Sequence, residues 1–477
     1  MMKVSPLVDE TLAKACGAAA IFTQFDQEQV DRIVRAVFEA GLSQRVKLAK
    51  MACEETGLGK WQDKVWKNVL ATLHVYDDIK HLKTAGIISE DPVSGITEIA
   101  QPLGPILAII PVTNPTSTTL FKIIIALKTR NPIIISGHHR ATGCCRETVR
   151  ICYEAALRED APEDCIQFFD RGSREETREL MSDRRLALIL ATGGESVVKA
   201  AYSSSTPAIG VGAGNVPVFI ERTAEIPFAI DQILLSKTFD NGTVCASEQA
   251  LVVDSEISRQ VREELVKRKA YFLTPEEIKL LDAVAYDREK QVMNAAIIGQ
   301  SVANIAKMAG LATIPPDASL LIAELDGIGE EIPLSSEILA PILAYYEADS
   351  LDHAVNLCID INYHGGMGHT ASIFSNDDEK IKQFAILMNA GRVLVNTPSS
   401  QGAVGGTFNT LPTSFTLGCG TGGKNITTDN ITARHLLNIQ RICRRRINER
   451  MGQLEEKMLF DEEIAAAAIE KAYYRNY

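Results

Sequence analysis

Short runs of almost purely apolar residues recur along the first half of the chain, and helix-forming segments separate them. The apolar runs span residues 104–111, 132–136, 166–170 and 186–191. Residues 117–129, 141–158 and 174–182 between them have the composition of helices. Strands with no polar face are buried on both sides, which is typical of a parallel sheet covered by helices. The sequence therefore predicts an α/β fold.

The rest of the chain divides by character. Residues 9–84 are predicted to be helical and to act as a scaffold, and residues 95–100 are predicted to form a strand of a projecting arm. A second series of strands and helices spans 231–388, and 391–396 is another buried strand. Glycine-rich stretches at 402–406 and 418–423 are expected to be irregular loops. Residues 426–446 are basic and predicted to be helical, and 461–477 form an Ala-rich helix.

Composition limits the function classes. The 477 residues include 49 basic and 61 acidic side chains, which gives a net charge of −12 and argues against general affinity for nucleic acids. The apolar runs are shorter than the roughly 18 residues that cross a bilayer, and the first residues lack the pattern of a signal peptide. Ten irregularly spaced cysteines without a CxxC pair indicate a reducing, cytoplasmic protein with no metal site. Any anionic ligand must be held locally, by backbone amides at helix N-termini.

One cysteine differs from the others in its surroundings. Cys245 follows an Asp-Asn-Gly turn at 240–242 and is surrounded by small and polar residues. A thiol in such a turn can be exposed and reactive, although most cysteines are inert and buried. By contrast, Cys144, Cys145 and Cys152 share one predicted helix at spacings that do not suit a metal, so they are expected to pack in the core.

Several motifs occur in the chain in the order known from one family. They lie at 111–118, 127–131, 191–194, 198–204, 208–217, 236–242, 245–249, 368–370, 394–402 and 416–420. Together they resemble the CoA-acylating branch of the aldehyde dehydrogenase superfamily, in particular the aldehyde dehydrogenase half of bifunctional aldehyde-alcohol dehydrogenases. The sequence leaves no room for an alcohol dehydrogenase half, so the resemblance implies a free-standing acylating enzyme. It also implies two parallel-sheet lobes and an oligomerisation arm. The expected domains are 1–235 (helices and cofactor lobe), 236–415 (catalytic lobe) and 416–477 (a C-terminal return segment and helical tail).

The resemblance implies the reaction aldehyde + CoA + NAD ⇌ acyl-CoA + NADH. Cys245 matches the nucleophile, and Asn114 matches the side chain that stabilises the oxyanion together with the backbone N–H of Cys245. Hydrolytic members carry a glutamate where this chain has Val211. Valine is not a general base, so acyl transfer to CoA is favoured over release of a free acid. Glu248 is expected to anchor its loop, and activation of water by it is the alternative.

The cofactor residues follow from the same resemblance. Gly193 and Gly194 lie between a strand and a helix, where backbone amides can hold a pyrophosphate. The other expected contacts are Gly212 and Glu337, the latter on the nicotinamide-side ribose. The expected set also includes the residues Ile110, Pro111, Val112 and Thr113. It further includes His369, which is expected either to contact the cofactor or CoA or only to shape the turn. Ser136 replaces a lysine of the hydrolytic members, so NAD is expected and NADP stays open.

Partners and location are the least constrained. The resemblance implies a homodimer or homotetramer formed through the arm. The C-terminal helix is expected to dock on its own protein or a neighbouring subunit, with an assembly or shell partner as the alternative, and with it a location inside a bacterial microcompartment. A hydrolytic aldehyde dehydrogenase and a structural homologue are the competing functions. Acetaldehyde, propionaldehyde, a semialdehyde and sulfoacetaldehyde all stay open as substrates.

Overall fold

The computed structural model describes residues 5–170, 172–287 and 292–475. The first four residues of the first predicted domain and the last two of the helical tail, Asn476 and Tyr477, lie outside this part. The chain begins with packed helices, as predicted for residues 9–84. They are α1 (Pro6–Phe22), α2 (Gln27–Ser43), α3 (Arg45–Thr56), α4 (Trp61–Val69) and, after a π-helical turn at Leu70–His74, α5 (Val75–Ile79).

Two antiparallel strands follow, β1 (Gly86–Asp91) and β2 (Ile96–Pro102), which form the start of the arm. The next elements alternate between strands and helices. They are β3 (Ile106–Ile110), α6 (Pro115–Lys128), β4 (Ile133–Gly137), α7 (Thr142–Leu157), β5 (Ile166–Phe168), α8 (Arg174–Ser182), β6 (Leu188–Thr192), α9 (Glu195–Tyr202) and β7 (Ala208–Val211). Each predicted strand and helix of this series is present within a few residues of its expected place.

The five strands β3 to β7 form a parallel sheet in the order β5-β4-β3-β6-β7. Alternate residues of β3 point to opposite faces. Ile106 and Ala108 pack with α2, α6 and α7, whereas Leu107 packs with α1, α8 and α9. Burial on both faces explains why these strands are apolar throughout.

The second half of the chain builds a larger parallel sheet. Its elements begin with β8 (Val216–Ile220), α10 (Ile226–Lys237), β9 (Glu248–Asp254), α11 (Ser258–Lys267), β10 (Ala270–Phe272), α12 (Pro275–Ala285), the short pair β11 (Tyr286–Asp287) and β12 (Val292–Met293), and α13 (Val302–Ala309). They continue with β13 (Leu320–Glu324), β14 (Ile342–Ala348), α14 (Leu351–Gly365), β15 (Ala371–Phe374), α15 (Asp378–Leu387), β16 (Val393–Val395) and α16 (Ser399–Val404). The strand order is β10-β13-β14-β9-β8-β15-β16.

The change from one sheet to the other lies between Val211 and Val216, because β8 pairs with β9 and β15 and not with β7. The expected division after residue 235 therefore falls two elements later than the change of sheet, after β8 and most of α10. The functional division into domains at 235 and 415 stays a prediction. The stretch 402–406, expected to be an irregular loop, begins inside the short helix α16.

The prediction of a helix over 426–446 is wrong. Residues Leu437–Cys443 form a strand, β17, which pairs antiparallel with β2 and completes a three-stranded sheet in the order β1-β2-β17. The last four of its seven residues are all exposed, because the strand lies at the edge of the arm. Its polar and basic side chains thus reflect an exposed edge strand.

The tail is helical in short pieces, α17 (Glu449–Gly452), α18 (Glu456–Phe460) and α19 (Ala466–Tyr473). The last of them is the predicted Ala-rich helix. Arg450 lies over the rings of Tyr473 and Tyr474, 5.9 and 5.5 Å from their centroids, so the tail folds back on itself. Phe460 is 79% exposed. In the described part of the chain, no helix is long and apolar enough to cross a membrane.

One buried amide connects the first sheet to the C-terminal region. The Oδ1 of Asn131 accepts hydrogen bonds from the backbone N–H groups of Leu103 and Gly104, and its Nδ2 donates to Thr129 and to the carbonyl of Leu436. Asn131 is fully buried. Three of these four hydrogen bonds hold the entry to β3 against the start of β17, and the fourth connects Asn131 to the end of α6.

We expect Asn131→Ala to destabilise the protein by about 2–4 kcal/mol, because two half-buried N–H groups, the hydroxyl of Thr129 and the carbonyl of Leu436 lose a partner at once. Urea unfolding followed by circular dichroism measures the change. The matched control is Asn438→Ala, an exposed residue with one long hydrogen bond to Pro102 (3.5 Å), for which a change within about 0.5 kcal/mol is expected. Equal effects of the two substitutions would contradict the assignment.

Candidate functional site

The carboxyl ends of β3 and β6 meet at the centre of the first sheet. The chain proceeds from β3 outward to β4 and β5, and it then returns to the other side of β3 with β6. In an open parallel sheet a ligand binds where the strand order reverses in this way. Ile110 ends β3, residues 111–113 follow it, and Gly193 follows β6, so the expected cofactor residues of both segments lie at this point.

Cys245 lies in the loop that leads from α10 into β9. Three consecutive residues of this loop, Asp240, Asn241 and Gly242, have φ values of 50, 53 and 76°. Asp, Asn and Gly tolerate this left-handed conformation better than other residues do. A Cβ atom on Gly242 would lie 2.8 Å from the carbonyl oxygen of Ala340, so the turn also needs a residue without a side chain. The turn predicted from the sequence is present, and it sets the path of the chain to Cys245.

A cavity of about 50 Å³ lies beside Cys245. This volume corresponds to roughly three to five water molecules at about 10–15 Å³ each. Thr192 and Val211, at the ends of β6 and β7, form one side of it. The cavity therefore lies between the carboxyl edge of the first sheet and the loop that carries Cys245.

The walls of the cavity are mostly apolar. Besides Val211, the apolar side chains are Leu70, Phe239, Val244, Val404, Phe415 and Leu417, and they present most of the surface that faces the cavity. The polar side chains, besides Thr192, are Lys67, Asn114, Thr118, Ser400, Gln401 and Ser414. Among the described residues that line it, none is an aspartate, a glutamate or a histidine. Within the described part of the chain, no carboxylate or imidazole is therefore in contact with this space to act as a general base.

Asn114 joins the two sides of the cavity. Its Nδ2 donates to the carbonyl oxygen of Thr243, two residues before Cys245, and to Thr113 Oγ1, both at 3.1 Å. Its Oδ1 accepts from Lys67 Nζ at 2.6 Å. Asn114 immediately precedes α6, and Pro115 at the first position of that helix fixes where the helix begins. The structure thus brings Asn114 to the loop of Cys245.

A buried cluster of charges supports this loop. Asp240 Oδ2 accepts from Lys67 Nζ at 2.5 Å and from Lys64 Nζ at 2.9 Å, and all three side chains are at most 3% exposed. Burial raises the pKa of Asp240, but the two ammonium groups outweigh this and lower it. Burial lowers the pKa of Lys67 to about 8, against the opposing effect of Asp240. The cluster links α4 to the turn before Cys245.

Glu337 and His369 lie close to Cys245 but do not line the cavity. The backbone N–H of Gly214 donates to Glu337 Oε1 at 2.8 Å. A Cβ atom on Gly214 would lie 2.2 Å from the carbonyl oxygen of Cys245 and 3.1 Å from the ring of His369. This position therefore accepts only glycine. Gly214 allows the loop between β7 and β8 to pack closely against the Cys245 loop and His369.

The titration of these groups reflects their burial. Burial raises the pKa of Glu337 to about 7. Burial and the nearby Arg392 lower the pKa of His369 to about 3, so its ring is neutral. His369 is fully buried, its Nδ1 lies 2.9 Å from Thr370 Oγ1, and its Nε2 has no hydrogen-bond partner within the described parts of the chain.

The thiol of Cys245 is only partly accessible and is not activated by its surroundings. Burial raises its pKa to about 12, with further contributions from Glu337 and Cys419 that outweigh the lowering by Arg392 and by its own backbone N–H. A thiolate is the reactive form, so the thiol needs another positive charge nearby to ionise at neutral pH. The expectation of an exposed thiol is thus met only in part.

Glu248 occupies the anchoring position expected from the sequence. Its Oε1 accepts from the backbone N–H of Ser399 at 2.8 Å, which ties the start of β9 to α16. Burial raises its pKa to about 7. Lys237 holds the neighbouring segment, because its Nζ donates to Gln249 and to the carbonyl of Ile338. The second carboxylate oxygen of Glu248 is buried and has no partner among the described residues.

The expected cofactor positions leave room for a ligand. A Cβ atom on Gly194 or Gly212 would meet no atom within 4 Å, and one on Gly193 would meet only Val197. Gly194 caps the N-terminus of α9. Thr192 Oγ1, next to this N-terminus, is buried without a partner in the described structure. Open backbone at a helix N-terminus, with an unpaired hydroxyl beside it, fits a phosphate-bearing cofactor.

Other candidates lie away from this centre. Ser136 is the last residue but one of β4, one strand further out on the same edge of the sheet. Cys144, Cys145 and Cys152 are fully buried on α7, in agreement with a packing role. Among the described residues, no three His, Cys, Asp or Glu side chains are arranged to hold a metal ion.

Some residues of the cavity were not expected from the sequence. Lys67 comes from the helical region expected to be a scaffold, and its local sequence does not distinguish it from solvent-facing lysines. Ser400 and Gln401 lie in the motif at 394–402. The polar Ser-Ser-Gln run in this motif is the sequence feature that could have identified them as site residues. Phe415 follows in the loop after α16.

Comparison with known proteins gives one family. Residues 4–277 match the sequence model of the aldehyde dehydrogenase family. The solved structure of an acetylating aldehyde dehydrogenase from Geobacillus thermoglucosidasius is 44% identical, with a TM-score of 0.90 over 92% of this chain and 96% of that one.

Two curated relatives extend this comparison. Aldehyde-alcohol dehydrogenase 2 of Entamoeba histolytica is 42% identical over 469 residues, which cover 96% of this chain but 54% of that protein. The chain thus spans about half the length of that relative. An acetylating succinate-semialdehyde dehydrogenase of Clostridium kluyveri is 35% identical over 91% of this chain and 95% of its own length.

The raised pKa of Cys245 predicts slow alkylation that accelerates with pH. In the protein without cofactor, we expect the rate of Cys245 modification by iodoacetamide to rise about tenfold per pH unit between pH 7 and 9, because the thiolate fraction grows in that proportion below a pKa of about 12. Mass spectrometry of the peptide that contains Cys245 measures the rate, and Cys245→Ala identifies the signal. A rate that stays level over this range would show a thiol already ionised.

Proposed function

The chain belongs to the aldehyde dehydrogenase family, and we propose that it oxidises short, uncharged aldehydes to acyl-CoA with NAD as hydride acceptor. The reaction is aldehyde + CoA + NAD⁺ ⇌ acyl-CoA + NADH + H⁺. One observation carries this proposal: Cys245 and Asn114 face the same small cavity, and no carboxylate or imidazole among its described lining residues is available to activate water. An acyl group on Cys245 is therefore expected to persist until the thiol of CoA attacks it.

In the first step, Cys245 Sγ attacks the aldehyde carbonyl. The oxygen becomes negatively charged and accepts hydrogen bonds from Asn114 Nδ2 and the backbone N–H of Cys245. In the free protein Asn114 Nδ2 donates to Thr243 and Thr113, both neutral acceptors at 3.1 Å. An oxyanion is the stronger acceptor and would displace one of them.

Once the adduct has lost its hydride, for which bound NAD would be the acceptor, Cys245 holds the acyl group as a thioester. The thiol sulfur of CoA attacks the thioester carbonyl, the bond to Cys245 Sγ breaks, the sulfur of Cys245 leaves as the thiolate, and the thiol proton of CoA passes to solvent. Asn114 stabilises the oxyanion of this step as well, since it forms on the same carbonyl. Val211 lines the cavity and has no proton-accepting group, which disfavours the competing attack by water.

Several residues would hold the cofactor. Gly193, Gly194 and the N-terminus of α9 would take the pyrophosphate, and residues 110–113 and Gly212 would pass close to the nicotinamide half. Glu337 would accept from the ribose once the N–H of Gly214 is released. When bound, the oxidised nicotinamide supplies a hydride acceptor and a positive charge near Cys245, which favours the thiolate. His369 would shape this side of the site and contact cofactor or CoA. We propose NAD as the cofactor. The replacement of a family lysine by Ser136 makes the choice between NAD and NADP less constrained.

We also propose that the chain acts as a homo-oligomer in the cytoplasm, through the arm of β1, β2 and β17. The arm exposes Ile87, Val93 and Ile442, which are 51%, 79% and 46% exposed. Apolar side chains on a projecting sheet are typical of a surface that another subunit covers. A monomer in light scattering at micromolar concentration would contradict this.

We expect NADH formation from acetaldehyde to require CoA and to be lost in Cys245→Ala. Absorbance at the NADH wavelength with and without CoA measures it on purified protein. Asn114→Ala should lower kcat by about 10²- to 10³-fold, the usual effect of removing one oxyanion donor. Equal NADH formation without CoA would favour the hydrolytic alternative and would identify a water-activating base elsewhere.

The charge of the cavity predicts which aldehydes are used. Lys67 is the single cationic side chain among the described lining residues, and its Nζ already donates to Asn114, Asp240 and Thr243. A carboxylate or sulfonate buried here would find no free cation, which costs several kcal/mol. We therefore expect kcat/KM to be at least about 100-fold higher for acetaldehyde or propionaldehyde than for succinate semialdehyde or sulfoacetaldehyde. Comparable values in the same CoA-dependent assay would contradict the uncharged cavity.

A further inference from the structure

The proposed mechanism needs the amide of Asn114 in one of two orientations. A side-chain amide presents an N–H₂ group on one side and a carbonyl oxygen on the other, and the two have nearly the same shape. With the oxygen toward the substrate, Asn114 would repel the oxyanion instead of stabilising it. Some neighbouring group must therefore determine which side faces Cys245.

Lys67 has the required chemistry. An ammonium group only donates, so the atom of Asn114 that faces Lys67 Nζ at 2.6 Å must be the oxygen. The nitrogen then points toward Thr243 and the loop of Cys245. A hydrogen bond from a charged donor is also stronger than a neutral one, and it polarises the amide so that its N–H groups become better donors.

Lys67 is in turn held in place by the turn that leads to Cys245. Its Nζ donates to Asp240 Oδ2 at 2.5 Å and to Thr243 Oγ1 at 3.0 Å, and the hydroxyl of Thr243 donates to the same carboxylate oxygen at 2.8 Å. The left-handed backbone at Asp240 and Asn241 directs this carboxylate toward α4. The three hydrogens of the ammonium group thus have three acceptors, and only the one on Asn114 belongs to the proposed catalytic group.

The same count argues against a direct chemical role, because contact with the substrate would cost Lys67 a hydrogen bond within the cluster that holds it. With all three hydrogens engaged in the protein, Lys67 Nζ has none left for the substrate oxygen. Its side chain is 3% exposed and borders the cavity without projecting a free donor into it. Any influence on the reaction must pass through the groups it holds.

We infer that Lys67, anchored by Asp240, fixes the amide of Asn114 with its N–H side toward the oxyanion and so acts as a positioning residue for that donor. The inference rests on the proposed function, because it assigns the oxyanion contact to Asn114. It adds a residue from the N-terminal helices to the machinery and gives the buried charge cluster a purpose beyond stability.

The test uses a reaction that forms the same oxyanion without NAD or CoA. In p-nitrophenyl acetate, Cys245 Sγ attacks the ester carbonyl, the bond to the phenolate oxygen breaks, p-nitrophenolate leaves, and the thiol proton passes to solvent. The reaction is run at pH 9, where more of the Cys245 thiol is ionised in the protein without cofactor than at pH 7. Release of the first equivalent of p-nitrophenolate measures acylation of Cys245, and its loss in Cys245→Ala assigns the signal.

The decisive comparison is a double-mutant cycle between Lys67→Met and Asn114→Ala. Lys67→Met alone should slow acylation about 10- to 100-fold, a part of the 10²- to 10³-fold expected for loss of the donor itself. In the Asn114→Ala background, the same substitution should cost less than about threefold, because the amide it positions is gone. Lys67→Met and the double variant are compared at equal folded fraction, measured by circular dichroism.

Lys64→Met is the matched control. It removes the same charge from the same carboxylate oxygen one turn earlier in α4, but Lys64 contacts Thr113 and not the amide of Asn114. Its effect on acylation should be the same factor in both backgrounds. If Lys67→Met does not fold, Lys67→Arg keeps the charge beside Asp240 and displaces the donor, and its cycle with Asn114→Ala carries the same expectation.

Each outcome decides the matter. Equal costs of Lys67→Met in the two backgrounds would overturn the inference, since a purely structural lysine acts independently of Asn114. A strongly reduced cost supports it. If the ester reaction shows the coupling while wild-type protein forms no CoA-dependent NADH, the proposed function fails and the positioning role stands. If wild-type protein shows neither reaction, both are overturned.

Discussion

The carboxylate of Asp240, held between two buried lysines, is the contact on which the arrangement of the site depends. It joins α4 of the N-terminal helices to the turn before Cys245, and through Lys67 it reaches the loop after β3. A buried ion pair contributes little net stability, because desolvation offsets the attraction, but removing one partner leaves a charge in a place that cannot solvate it. Such a contact selects one arrangement of the segments but adds little to the free energy of folding. Three segments distant in sequence are thereby fixed in a single relative position.

The same burial governs the chemistry. The cavity is small and mostly apolar, so charges within it interact strongly and are costly when unpaired. Burial explains why the thiol of Cys245, which lines the cavity, is protonated in the free protein, and why Glu337 and His369, which are buried nearby, are pushed toward their neutral forms. A site in this state has little reactivity until a cationic ligand enters. Under the proposed mechanism, the nucleophile is formed only when its hydride acceptor is present.

Much of the fold could be predicted from the sequence. The parts that could not be predicted depend on where a segment lies in the folded protein and not on its local residue types. Strands of the first sheet are buried on both faces and therefore read as apolar runs, whereas β17 is an exposed edge strand whose basic residues suggested a helix. The Asp-Asn-Gly turn and Cys245 were found because their conformation and chemistry depend on local residue types. Lys67 could not be found in this way, since its role arises from Asn114 and Asp240, 47 and 173 residues away in the chain. The family resemblance supplied Asn114 and Glu337, which local reading would have assigned to a turn and a helix surface.

The pairing of β17 with β2 has a consequence for how the chain folds as it is made. Residues Gln101 and Gln440 of this sheet are 339 positions apart. At synthesis rates of roughly 5–20 residues per second, β2 emerges about 20 to 70 seconds before its partner strand. During that interval β2 is covered on one side by β1 and open on the other, and an open edge can pair with the wrong strand. The arm therefore cannot be completed until β17 has been synthesised, and its open edge needs protection from wrong pairing until then.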